Sequence, residues 1–304
     1  MSSHSFLKNK KNNSIYININ SELFLREKAK ISVFDSGFLL GDGVWEGIRL
    51  HKSKLVYIEE HLERLYKSAK GISLDINLKK DQIINEINKT LDKNGMEDDV
   101  HIRLIISRGN KITPYQNPNS NVGPINFVII PEYKKANPDI YKNGIKIGRV
   151  KNIRPNNEIL TPQYNTLSKL NCILASIEAN RLGYDEGIMN DMYGFISTCN
   201  STNLFFIKKN QLITSTGEYC LNGITRSKAI ELCNNNNIPC HQKNFVFEDI
   251  KNCDEAFVTG TFGGITPVRM LENKSLKSTN ADSLTTSIRN LYLQDIKNYI
   301  KSKT

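Results

Sequence analysis

The sequence predicts a two-domain protein of the α/β plus α+β class, and three observations carry that expectation. At 304 residues the chain exceeds the size at which a single hydrophobic core stops growing. Its first part alternates apolar segments of period two with apolar segments of helical period. Its second part mixes short strands with helices that open or close at glycine. No G-x-G-x-x-G run leads from a strand into a helix, so nothing supports a dinucleotide-binding fold.

Taken in order, Ser14–Ile19 alternates and reads as a strand. KISVFDSGFLLGDGVWEGIRL reads as a strand interrupted by a turn at Asp35-Ser36-Gly37 and a glycine loop at Gly41-Asp42-Gly43. In EEHLERLYKSAKGI, the helical spacing of Leu62, Leu65, Tyr66 and Ala69 gives one apolar face. KDQIINEINKTLDKNG gathers Ile83, Ile84, Ile87 and Leu91 in the same way and stops at Gly95, a good helix-ending residue. VHIRLIIS and INFVIIP are strands. The next stretch carries two prolines and no apolar period, which reads as a linker. The boundaries are therefore a small N-terminal domain at 1–131, a linker at 132–140 and a larger C-terminal domain at 141–304. In the latter, IKIGRV is a strand, and LSKLNCILASIEANRLG is a helix with Leu167, Leu170, Leu174 and Ile177 on one face, ending at Gly183. NLFFIKKNQLITS gives short strands, a helix opens at Gly223-Ile224-Thr225, and EAFVTGT is a strand running into a glycine loop. A terminal helix covers SLTTSIRNLYLQDIKNYI.

Composition removes several function classes. With 39 % apolar and 24 % charged residues the chain is ordinary for a soluble globular protein, and no run approaches a membrane span. MSSHSFLKNKKNN lacks the apolar core of a secretory signal and reads as a short basic arm. The six cysteines are scattered, with no C-x-x-C pair, which fits reduced thiols in a cytoplasm. Five histidines without an H-x-x-x-H pair leave no expected metal site. The net charge of +10 comes from lysines interspersed with Asn, Glu and Ile, not from an arginine-rich stripe, so no nucleic-acid partner is expected.

Two segments read as anion sites on physical grounds. In LNGITRSKAIELC a glycine precedes Thr225 at a helix start, where free N–H groups, the helix dipole and a hydroxyl together favour a phosphate. In TGTFGGITPV the glycines let the backbone approach a ligand closely. Either feature alone is more often a plain helix cap or turn. HLERL adds Arg64 on a helix face, able to close a phosphate cup with two parallel hydrogen bonds.

These motifs, with SVFDSGFLLGDGVWEGIRL, HLERLYKSA, GYDEGIMND, GFI and NLFFI in the same order, resemble the fold-type IV pyridoxal-phosphate enzymes. That family includes branched-chain and D-amino-acid aminotransferases, R-selective amine transaminases and aminodeoxychorismate lyase. The resemblance runs from about residue 30 to residue 270. It implies the two-domain D-amino-acid aminotransferase-like architecture, a pyridoxal 5′-phosphate cofactor, a homodimer or higher oligomer, and an amino acid and a 2-oxo acid as substrates. Carried over residue by residue, Arg64, Ile224, Thr225 and Thr261 match phosphate-binding positions. Arg103 and Phe262 match groups facing the substrate, and Trp45 and Arg49 match the pocket lining. A core aromatic is an equal reading of Trp45.

Two departures stand out. Family members place the cofactor-holding lysine about 13 residues before an E-A pair. Counting back from Glu178-Ala179 reaches Asn165, with Lys169 four residues later. Lys169 is the expected catalytic lysine, either one helical turn along, about 6 Å, or in register after a local deletion. The second departure is Thr198, which stands where the family has the glutamate facing the pyridine nitrogen. A hydroxyl cannot hold that nitrogen protonated as a carboxylate does. Transamination is the first reading. A lyase, eliminase or racemase on the same scaffold and a non-catalytic cofactor-binding relative stand beside it.

Overall fold

The computed structural model describes residues 3–303. The chain forms two compact units, one of Leu7–Lys135 with Tyr164–Lys169 and Lys303, the other of the residues up to Phe6 with Ala136–Gln163 and Leu170–Ser302. The expected linker at 132–140 contains the break between the two units, which follows Lys135. It carries the end of a strand (Asn126–Tyr133), a two-residue strand and the start of a short helix.

The N-terminal unit is a six-stranded antiparallel sheet. Its strands are β1 (Tyr16–Ile19), β2 (Glu22–Leu25), β3 (Gly43–His51), β4 (Lys54–Val56), β5 (Val100–Ser107) and β6 (Asn126–Tyr133), in the order β2-β1-β6-β5-β3-β4. Helices α2 (Ile58–Gly71) and α3 (Lys80–Asn94) pack on it. The expected apolar faces meet in one core: Leu62, Leu65 and Ala69 from α2, Ile83, Ile87 and Leu91 from α3, and Ile48, Ile102 and Leu104 from the sheet. Gly95 ends α3 at φ +60°, as its position required. The expected turn at residues 35–37 is instead the start of a short helix, α1 (Ser36–Leu40). Asp35 caps it by accepting from the Phe38 N–H at 3.0 Å, and Gly41 ends it at φ +68°.

The C-terminal unit is a mixed nine-stranded sheet. It runs through α4 (Asp139–Asn143), β7 (Ile145–Arg149), α5 (Leu170–Arg181), β8 (Glu186–Asn190), β9 (Ile196–Cys199), β10 (Asn203–Lys208) and β11 (Gln211–Thr214). It continues with α6 (Ile224–Asn235), β12 (Cys240–Gln242), α7 (Phe247–Ile250), β13 (Glu255–Gly260), β14 (Gly264–Leu271) and α8 (Leu284–Ser302). The strand order is β9-β8-β7-β14-β13-β10-β11-β12, with the two-residue Lys274–Ser275 as the ninth strand, antiparallel to β14, and the pairing is parallel at β7–β8, β7–β14 and β11–β12. Its core gathers Ile147, Ile188, Phe206, Val258 and Val268.

Helix α5 corrects the sequence reading at its start. It begins at Leu170, not Leu167, so Lys169 precedes it and the Asn165–Lys169 interval is not a helical turn. The reason is that the segment before the helix pairs with β3: Thr166 bridges Val44, Trp45 N donates to the Asn165 carbonyl at 3.0 Å, and Leu167 N donates to the Gly43 carbonyl at 2.9 Å. Backbone groups used there cannot enter a helix. The apolar face is exposed: Leu170 is 66 %, Ile173 51 %, Leu174 45 % and Ile177 42 % exposed, while Ala175 and Ala179 face the interior.

In the N-terminal unit α2 is pinned to β3 by a buried carboxylate. Glu46, wholly buried, accepts from Arg64 Nε (2.8 Å) and Nη2 (2.7 Å), and its Oε2 lies 2.7 Å from His61 Nδ1. Burial pushes this carboxyl up, but the Arg64 charge and hydrogen bonds and the His61 contact outweigh it and hold Glu46 at about 2. A carboxyl with a depressed folded pKa stabilises the fold above its ordinary value of 4.5, and that contribution fades as pH falls through about 2. Acid titration of the folded protein should therefore lose stability across that window. Glu46→Gln should flatten that loss and cost about 3–5 kcal/mol at neutral pH by leaving Arg64 without its counter-charge. Denaturant melts at pH 7 and pH 3 check both; an unchanged pH slope in the variant refutes the assignment.

Candidate active site

In the N-terminal unit the structure brings Lys169, Trp45 and Arg103 together. Trp45 and Arg103 lie on neighbouring strands, Trp45 paired with Ile105 and Arg103 with Gly47. The Arg103 guanidinium stacks 3.7 Å from the Trp45 ring centroid, and the Lys169 ammonium lies 5.5 Å from the same centroid. Both are cation–π distances. Lys169 Nζ also donates to Asn165 Oδ1 at 3.1 Å. Asn165 is 1 % exposed, its Nδ2 donating to the Trp45 carbonyl at 2.7 Å and its backbone N–H to Ser68 Oγ at 3.0 Å. This non-helical segment brings the lysine amine to the end of the residue-165 side chain. Trp45 is half-buried, its Nε1 donating to the Thr166 carbonyl at 3.1 Å, so it lines a surface rather than filling a core.

The other two arginines have different surroundings. Arg64 clasps Glu46, as above. Arg49 is 6 % exposed and donates from Nη1 to the Lys134 carbonyl at 2.6 Å, with Nη2 3.5 Å from Asp99. The nearby His51, Asp98 and Asp99 could present three ligand atoms within 4.8 Å of one another, but Arg49 and Lys135 already pair with Asp99. That arrangement repels a cation.

The C-terminal unit carries the phosphate-type residues. Helix α6 starts after Gly223, which is in extended conformation and offers no side-chain cap. Thr225 on its first turn is 2 % exposed. A helix start without a capping side chain suits an anionic ligand, because its first N–H groups have no partner within the helix. Thr261 and Phe262 lie in the turn joining β13 to β14, closed where Gly260 pairs with Gly264. On the same sheet Thr259 Oγ1 is buried with no hydrogen-bond partner. These residues fit a phosphate.

At Thr198 the hydroxyl is already committed. Thr198 Oγ1 donates to the Thr202 carbonyl at 2.7 Å, and a carbonyl can only accept. The hydroxyl proton is therefore spent inside the protein, leaving its lone pairs. Two further residues escaped the sequence reading. Glu186 opens β8 fully buried, accepting from Thr202 Oγ1 at 2.5 Å and from the Ser3 hydroxyl, and burial pushes its carboxyl up. Glu46 had a visible signal, a lone acid within the apolar strand VWEGIRL, which a buried pairing must satisfy. Glu186 carried no such signal.

Comparison with known proteins places this fold and these motifs in a class. The family model for amino-transferase class IV matches residues 43–271. The chain belongs to the class IV aminotransferase family, whose cofactor is pyridoxal 5′-phosphate. It is 37 % identical over 278 residues to branched-chain-amino-acid aminotransferase-like protein 2 of Arabidopsis thaliana, with 90 % of this chain and 49 % of that protein aligned. The chain thus spans about half the length of this relative. A Methanocaldococcus jannaschii protein bearing a branched-chain-amino-acid aminotransferase name is 32 % identical over 274 residues, covering 90 % of this chain and 93 % of that one. The crystal structure of the branched-chain aminotransferase of Thermoproteus uzoniensis with norvaline superposes at TM-score 0.83 and 26 % identity, covering 94 % of this chain and 96 % of that one. No helix among the described residues is long and apolar enough to cross a membrane.

Arg49 and Arg103 should separate cleanly on substitution. Arg49→Ala removes a buried charged donor and should cost about 1.5–3 kcal/mol of stability. Arg103→Ala loses a stacked, solvent-facing cation worth about 0.5–1 kcal/mol. Chemical denaturation of both variants tests this, and equal losses contradict the division.

Proposed function

We propose that this chain is a pyridoxal-phosphate-dependent aminotransferase, moving an amino group between an amino acid and a 2-oxo acid as a cytoplasmic homodimer. The observation that carries the reading is the Lys169 amine, 3.1 Å from the side chain of Asn165, where the family lysine would stand. Bound there, the cofactor supplies an electron sink for the bond to the substrate Cα. Lys169 would hold it covalently at rest and, once its amine is displaced by the substrate amine, would serve as the base that moves the proton from the substrate Cα to the cofactor. Arg64, Ile224, Thr225 and Thr261 hold its phosphate through charge, backbone N–H groups and hydroxyls. Arg103, kept flat by Trp45, binds the substrate carboxylate with its planar fork. Trp45 and Phe262 favour a small apolar or branched side chain, in keeping with the names of the relatives. Arg49 lines the small-domain side by fixing the end of β6, and Thr198 stands at the ring nitrogen. The exposed apolar stripe of α5 supports a partner subunit, since such a stripe is costly to leave in water.

Two measurements test this reading. Purified protein carrying cofactor should lose its visible absorbance on adding L-leucine, L-isoleucine, L-valine or D-alanine, and recover it with a 2-oxo acid. Borohydride reduction and peptide mapping should place the adduct on Lys169. An adduct on another lysine overturns the assignment. Oxo-acid release without an acceptor points to elimination, and absorbance indifferent to every donor points to a non-catalytic relative.

Sedimentation should give a dimer, and Leu170→Glu with Leu174→Glu should shift it toward monomer with helical content retained. A wild-type monomer at all concentrations contradicts the assembly.

A further inference from the structure

We propose that Tyr292 is a positioning residue for the cofactor phosphate, setting the direction in which Thr225 donates its hydroxyl proton. The inference rests on the phosphate reading above. Tyr292 lies on α8, which packs on α6, β13 and β14, and it is 5 % exposed. Its hydroxyl is 3.5 Å from Thr225 Oγ1. Its ring edge fills the space beside Gly264, where an added Cβ would stand 3.1 Å from Tyr292 Cε1. One aromatic side chain therefore touches both phosphate-type segments of this unit, the first turn of α6 and the end of the Thr261–Gly264 turn.

The proton arithmetic gives the contact a direction. A threonine hydroxyl has one proton and two lone pairs, whereas a phosphate near neutral pH is almost entirely an acceptor. To serve the phosphate, Thr225 must donate its only proton outward. Its lone pairs then face the tyrosine, whose hydroxyl can donate to them. Each bond in such a chain polarises the next, and the last ends on a charged acceptor. A phenylalanine would fill the same volume beside Gly264 but could not donate. Gly223 offers no capping side chain that could orient Thr225 instead.

The test compares pyridoxal phosphate with pyridoxal, which lacks the phosphate, by fluorescence titration of wild type and Tyr292→Phe. The wild type should hold the phosphorylated form at least tenfold more tightly. Tyr292→Phe should weaken pyridoxal phosphate about fivefold and leave pyridoxal unchanged, with a shift in the 31P resonance of the bound cofactor. In a Thr225→Val background the same substitution should have no further effect. A wild type indifferent to the phosphate removes the cup and the tyrosine's role with it. A preference preserved in Tyr292→Phe, parallel weakening toward both ligands, or full additivity with Thr225→Val overturns the role of Tyr292 while leaving the cup standing.

Discussion

β4 is too short to cover its neighbour. It pairs only with Arg49–His51, which leaves the Gly43–Trp45 end of β3 with open backbone groups on one edge. Residues 165–167 fill that edge: Thr166 bridges Val44, and backbone bonds run from Trp45 to Asn165 and from Leu167 to Gly43. An uncovered strand edge invites another strand, so the pairing protects the sheet as well as placing the segment. The approach is close. A Cβ on Gly43 would meet the Ile106 carbonyl at 2.4 Å and Leu167 Cδ1 at 2.7 Å, so only glycine fits. Asn165 is thereby fixed against Trp45, α5 cannot start within 165–167, and Lys169 precedes the helix with its amine turned back toward Asn165.

That constraint explains where sequence reading succeeded and where it stopped. Period and end signals work where a helix meets only one sheet face, so α2, α3 and their core residues were legible. Lys169 is picked out by its spacing from Glu178-Ala179. Its conformation did not follow, because the competing partner for residues 165–167 lies more than a hundred residues earlier in β3. The stripe on α5 was likewise visible in the sequence, and in the structure it is exposed. Periodicity reports that an apolar face exists; it does not say whether the same chain covers it. In that helix Ala175 and Ala179 make the inward contact, and small residues leave almost no pattern to read.

Three arginines on or beside β3 had been read alike as ligand-facing, and charge bookkeeping separates them. Arg49 meets a carbonyl and Asp99; Arg64 meets a wholly buried carboxylate; Arg103 meets an indole face. A guanidinium stacked on an aromatic ring keeps its in-plane donors for another partner, whereas one clasped by a carboxylate has two of them occupied. Arg64 thus commits Nε and Nη2 to Glu46, which reduces the net charge it presents to an anion. The same carboxylate fixes the guanidinium in place, which lowers the entropy lost when a ligand binds.

On the proposed reading, Thr198 faces the ring nitrogen where the family resemblance implies a carboxylate. A carboxylate about 4 Å from a cationic ring nitrogen contributes roughly 4 kcal/mol at the effective dielectric of a protein, enough to shift its protonation by about three pKa units. Thr198 has no charge to offer, and its proton already goes to the Thr202 carbonyl. It can only accept, and so can favour a protonated nitrogen by no more than a neutral hydrogen bond, about 1 kcal/mol. Glu186 does not replace the missing acid, since burial holds its carboxyl toward the neutral form and the Thr202 and Ser3 hydroxyls occupy it. On the proposed reading, the chain keeps the groups that anchor the cofactor and gives up most of the charge that makes its ring an electron sink. Proton transfer at the substrate Cα then depends more heavily on where Lys169 stands, and the β3 edge pairing fixes that position.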